Sequence, residues 1–133
     1  MKRSIGVVLA TLFLTVACGG GQAEEDTAGE PAAGAPTLRG MVGTEESPDA
    51  FEITLVDEDG NVVTNLPAGE YNIEVTDPTS VHNFHLSGGD GAVDEKTGPT
   101  EKIETTWVVT FKPGEYRYLC DPHPSMQGHF TVS

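Results

Sequence analysis

A chain of 133 residues with 21 acidic and 7 basic side chains has room for one domain, and its net charge of −14 has the wrong sign for nucleic-acid binding. Two cysteines, Cys18 and Cys120, are too few for a disulfide scaffold.

The first element is a leader rather than domain material. Residues 1–17 carry Lys2 and Arg3 ahead of an apolar run that is too short to span a bilayer, and small residues precede Cys18, the pattern of a signal peptide. Leu14-Thr15-Val16-Ala17-Cys18 resembles a bacterial lipobox, with Thr15 where Leu is usual, and makes Cys18 the expected acylated N-terminus of the mature protein. Two or more acyl chains, each gaining about 0.8 kcal/mol per buried methylene, would hold such a protein on a membrane. Loss of Lys2 and Arg3 leaves 5 basic side chains and a net charge of −16. That charge fits either long-range attraction to a basic partner or a high-salt habitat.

Residues 18–37 are acidic and rich in Gly, Ala and Pro, with no large apolar side chain. Such a segment buries too little surface to offset its ordering entropy and reads as a tether, with a reach of roughly 24 Å as a flexible coil.

Residues 38–133 form the expected domain, and the hydrophobic period there is two. Phe51, Ile53 and Leu55 alternate with polar residues, as do Tyr71, Ile73 and Val75, and Trp107, Val109 and Phe111. Asp59-Gly60-Asn61, Pro67-Ala68-Gly69, residues 87–91 and Pro113-Gly114 supply turns between these runs, and no window carries a helical stripe. The pattern predicts an all-β fold, an antiparallel sandwich or barrel. Its core is expected to hold Phe51, Tyr71, Phe84, Trp107, Phe111, Tyr116 and Phe130.

Chemistry concentrates in Cys120-Asp121-Pro122-His123-Pro124-Ser125-Met126, which places a thiolate, an imidazole and a thioether on one short loop at a strand end. Two His and one Cys in a plane, with a distant Met, make the blue-copper electron-transfer set. The second imidazole comes from Val81-His82-Asn83-Phe84-His85-Leu86. His82 shares parity with the apolar Phe84 and Leu86 and so faces the core, whereas His85 falls on the opposite face. The same test points Cys120 inward with Tyr116 and Tyr118. Alone, each residue has a plainer reading: Cys120 as core filler, His123 as a loop histidine, Met126 as packing. Their joint occurrence favours a ligand set, and the thioether favours copper over a structural zinc. His129 alternates with Phe130 and is expected on the solvent side, and Asp57-Glu58-Asp59 reads as a solvated turn without the ligand pattern of a calcium loop.

Over residues 38–132 the domain resembles the cupredoxins of the plastocyanin/azurin group, and within them most of all the amicyanins. The likeness rests on His82-Asn83 and on Cys120, His123 and Met126, with Pro122 and Pro124 flanking the loop histidine. It implies a Greek-key β-sandwich holding one copper ion that cycles between Cu(I) and Cu(II), with His123 as the electron portal. It also implies that Asn83 ties the two ligand segments together. Three positions depart from the amicyanin pattern: Val81 stands for Pro, Asp121 for the Ser or Thr whose hydroxyl pairs with the Asn, and Ser125 for a large apolar residue. The hydrogen-bond partner of Asn83 is therefore open.

The expected function is single-electron carriage between redox proteins, with no catalysis, since four protein donors leave no position for a substrate. The expected protein is an exported, monomeric cell-envelope lipoprotein that touches the membrane only through its anchor. Its acidic surface suits redox partners with a basic docking face. The alternative is a copper-binding or delivery protein without an electron-transfer role.

Overall fold

The computed structural model describes residues 29–133. The expected signal peptide, Cys18 and the first part of the tether lie outside the described residues.

Nine strands follow one another among the described residues: β1 (Thr37–Val42), β2 (Ile53–Val56), β3 (Asn65–Leu66), β4 (Gly69–Asp77), β5 (His85–Gly88), β6 (Val93–Lys96), β7 (Ile103–Phe111), β8 (Gly114–Cys120) and β9 (His123–Val132). They form two sheets, ordered β2-β1-β4-β7 and β3-β9-β8-β5-β6, and among the described residues no helix forms. This is the β-sandwich that the period of two predicts. Most ladders are antiparallel, but β1 runs parallel to β4 and β3 parallel to β9. Alternation within a strand says nothing of its neighbour's direction, and the long connections between these pairs permit parallel pairing.

The core lies between the inner faces. Leu38, Val42 and Leu55 meet Tyr71, Ile73 and Val75 from one sheet, and Leu86, Tyr116, Tyr118, Phe130 and Val132 close from the other. Fully burying an aliphatic or aromatic side chain of this size stabilises by about 1.5–3 kcal/mol, so this alternating set is what makes the strands cohere. Phe111, Tyr116 and Phe130 pack ring to ring with centroids 4.9–5.4 Å apart. The buried Tyr116 hydroxyl is satisfied by donating to the Lys112 carbonyl at 2.9 Å.

Two expectations need correction. Phe51 is not in the core: it is 67% exposed and precedes the start of β2, on a loop. The tether also ends earlier than composition suggests. Asn72, buried in β4, donates to the carbonyls of Ala32 and Ala35 and accepts from the Ala32 N–H, while Gly29 donates to Thr106 in β7. Hydrogen bonds to the buried Asn72 amide and to the backbone of β4 and β7 thus dock residues 29–36 on the sheet where apolar burial could not.

Candidate metal centre

One end of the sandwich gathers the end of β1, the end of β4, the approach to β5, the end of β8 and the start of β9. The β8–β9 ladder explains how. Pairing runs regularly from Gly114↔Val132 to Leu119↔Gln127, then jumps to Cys120↔His123, so that Pro124, Ser125 and Met126 are thrown out as a bulge. A two-residue turn of Asp121 and Pro122 therefore sets Cys120 and His123 directly opposite each other.

His82 arrives from the other side. Its Nδ1 lies 2.9 Å from His123 Nδ1, and the Cys120 Sγ lies 3.8 Å from His82 Nδ1 and 3.6 Å from His123 Nδ1. His82 and Cys120 are fully buried and His123 is partly exposed. Among the described residues this is the one group of His, Cys and carboxylate donors close enough to share an ion. Planar three-fold coordination, with bonds of about 2.0 Å to nitrogen and about 2.3 Å to sulfur, sets sulfur about 3.7 Å from each nitrogen. Both sulfur distances fit. The two nitrogens sit about half an ångström closer than that plane would place them. Met126 is 3% exposed and lies on β9 three residues beyond His123, in step with the inward-facing Phe130 and Val132.

Parity singled out His82, the histidine that lies beside Cys120 and His123, by a route the backbone does not follow. His82, Asn83 and Phe84 precede β5 and all three are buried, so no alternation operates there. What orients His82 is a loop over residues 43–52. Gly43 has φ of 68°, and a Cβ at this position would overlap Pro48, which lets the chain turn tightly out of β1. Thr79 then donates to the Asp49 carboxylate at 2.7 Å and fastens the loop to the end of β4. The Asp49 carbonyl accepts from His82 Nε2 at 3.2 Å, a tautomer that leaves Nδ1 free to ligate. Phe51, on the same loop, sets its ring edgewise against His82 and His123, with centroids 5.4 and 4.7 Å away.

Asn83 finds its partner in the residue that departs from the amicyanin pattern. It donates from Nδ2 to the Asp121 carboxylate at 2.9 Å, accepts from the Asp121 N–H at 2.7 Å, and its own backbone N–H points at Cys120 Sγ at 3.5 Å. Burial pushes the Asp121 carboxyl up, but the hydrogen bonds of His85 and Asn83, with the charges of His85 and Lys96, outweigh it and hold the group below its ordinary value. Asp77, buried nearby, is shifted the other way by burial, against the opposing hydrogen bonds of Thr97 and Thr79. Sequence reasoning missed Phe51 and Asp49: Phe51 was hidden by its false strand parity, and Asp49 had no local signal. Asp121 stood out only as a departure from the amicyanin pattern, with its partner left open.

No protein-family model matches the chain. Amicyanin-alpha of Methylorubrum extorquens is 40% identical over 52 residues, a match spanning 38% of this chain and 44% of that relative, so less than half of the relative's length is matched. Among solved structures, the copper protein rusticyanin superposes with a TM-score of 0.51 at 16% identity, covering 73% of this chain and 76% of that one. A reduced variant of amicyanin is 26% identical, with a TM-score of 0.43 and coverage of 80% and 89%.

Proposed function

This chain is a cupredoxin in fold, and from that premise we propose that it is a type 1 copper protein carrying single electrons between redox proteins. The observation that carries the reading is the convergence of His82 Nδ1, His123 Nδ1 and Cys120 Sγ on one point at the end of the sandwich. Met126 would complete the set as a weak axial donor.

Copper held by these residues would supply a one-electron Cu(II)/Cu(I) couple, whose exchange is fast when its ligands hardly move. The protein's own groups supply that rigidity. Asn83 and Asp121 tie the two ligand segments together, the Asp49 carbonyl holds the His82 ring, and the core encloses Cys120. His123, the partly exposed member, is the portal through which a partner couples to the centre.

Residues 1–17 act on this reading as a lipoprotein signal, and Cys18 as the acylated anchor on the outer side of a membrane. Residues 19–28 would tether a monomer whose acidic surface steers a partner with a basic face. Cys18→Ser would then move the protein from the membrane to the soluble fraction. Retention in the membrane would remove the anchor from the account.

The decisive experiment adds Cu(II) to the purified protein. An intense blue band, bleached by reductant, absent in Cys120→Ser and accompanied by reversible voltammetry, is expected. Rapid copper loss to a chelator without a reversible wave would instead mark a copper-delivery protein.

A further inference from the structure

His85 plays no part in holding the metal on the reading above, yet both of its ring nitrogens are held by carboxylates near the site. Its Nδ1 lies 2.8 Å from the Asp121 carboxylate, and its Nε2 lies 2.7 Å from the Asp94 carboxylate. The ring is largely covered, with 16% of its side chain exposed against 70% for Asp94 and 42% for Asp121. Both contacts are satisfied only when both ring nitrogens carry protons, because a carboxylate offers acceptors alone. Lys96 stands opposite His85 in the β5–β6 ladder, and Leu119 stands opposite it in the β5–β8 ladder.

The bridge leads to the metal centre in two steps. The Asp121 oxygen that His85 does not touch accepts from Asn83, and Asn83 directs its backbone N–H at Cys120 Sγ. Asp121 is also the residue next to Cys120, so its negative charge sits beside the thiolate.

We propose that His85 is a positioning and potential-setting residue for the proposed electron-transfer centre, clamping Asp121 from outside while cancelling carboxylate charge beside Cys120. The inference rests on the carrier reading for its effect on potential, and on the His85 bridge itself for its structural part. Uncompensated carboxylates favour the more positive, oxidised state of a nearby metal, and a cation disfavours it. Removing the imidazole and removing the outer carboxylate therefore act with opposite signs.

The test uses the full copper-loaded protein and two substitutions, His85→Gln and Asp94→Asn, the second on an exposed side chain that leaves the fold little to lose. His85→Gln is expected to lower the reduction potential, by about a tenfold change in the ratio of Cu(II) to Cu(I) affinity, or about 59 mV for one electron. Asp94→Asn is expected to raise it by a smaller factor. A role confined to packing would weaken the site in both variants without shifts of opposite sign, and potentials that move together or stay fixed would overturn the proposal. In the metal-free protein, NMR of the His85 ring is expected to show both nitrogens in hydrogen bonds to carboxylates, Nδ1 to Asp121 and Nε2 to Asp94. A ring nitrogen without its carboxylate partner would overturn the bridge. A wild-type protein that never turns blue would refute the carrier reading, while the NMR arm would still decide whether the bridge exists.

Discussion

Asn83 and Asp121, 38 residues apart, exchange hydrogen bonds in both directions, the side-chain amide of one gripping both the carboxylate and the backbone N–H of the other. The pair takes the place of the hydroxyl bond in the amicyanin pattern, and does so with a charge-assisted bond, roughly twice as strong as a neutral one. It also joins the approach to β5 to the turn that presents Cys120 and His123.

The clamp makes Asn83 costly to remove. Asn83→Ala would strand the Asp121 N–H and the Thr97 carbonyl, both partners of the buried amide. At about 1–3 kcal/mol for each buried polar group left without a partner, a loss of about 2–6 kcal/mol is expected. Urea denaturation of the metal-free protein measures it. A loss below about 1 kcal/mol would show that water replaces the amide.

A steric prediction follows from the face opposite Tyr118. The Tyr118 ring lies over Gly128, its cross-strand partner, and a Cβ at Gly128 would overlap that ring. Gly128→Ala is expected to destabilise by about 1–3 kcal/mol, the usual cost of overpacking. The cost should fall to less than half in a Tyr118→Leu background, because the two sites share one volume. Equal costs in the two backgrounds would place the strain elsewhere.

The candidate donors were legible because their chemistry is local. Cys120, His123 and Met126 sit within seven residues, and no packing detail is needed to recognise a thiolate, an imidazole and a thioether spaced around a turn. The sandwich was legible for a similar reason, since the alternation in β4, β7 and β8 follows the burial of their side chains closely. What escaped depends on contacts between distant segments. The loop of residues 43–52 takes its shape from the Gly43 turn and from Thr79, some 30 residues from Asp49, so nothing near Phe51 revealed that its ring leaves the core.

Asp77 should make stability depend on pH. Its carboxyl is 1% exposed, and burial raises its affinity for a proton above that of the unfolded chain. A raised carboxyl contributes stability that is fully present below the ordinary aspartate range and is lost as pH rises through the folded-state value. Asp77→Asn keeps an acceptor for Thr97 without that charge, so the gap in stability between variant and wild type should move in favour of the variant as pH rises from acid towards neutral. Denaturation of the metal-free proteins across that range tests it. A gap that stays constant with pH would mean that the two hydrogen bonds to the carboxylate cancel its desolvation.

Phe51 separates function from folding. Its ring is mostly in solvent, so Phe51→Ser should change folding stability by no more than about 0.5 kcal/mol, as for other surface positions. The same ring lies edgewise on both imidazoles of the proposed centre, and its removal opens them to water and frees the His123 ring to turn. Copper transfer to a chelator should then become several-fold faster, with the blue band retained because no donor has changed. Phe51→Leu, which keeps apolar cover without the ring edge, should fall between. An unchanged transfer rate in Phe51→Ser would mean that the Asp49 carbonyl and the Asn83 clamp alone fix the ligands, and that the exposed ring serves contact with partners.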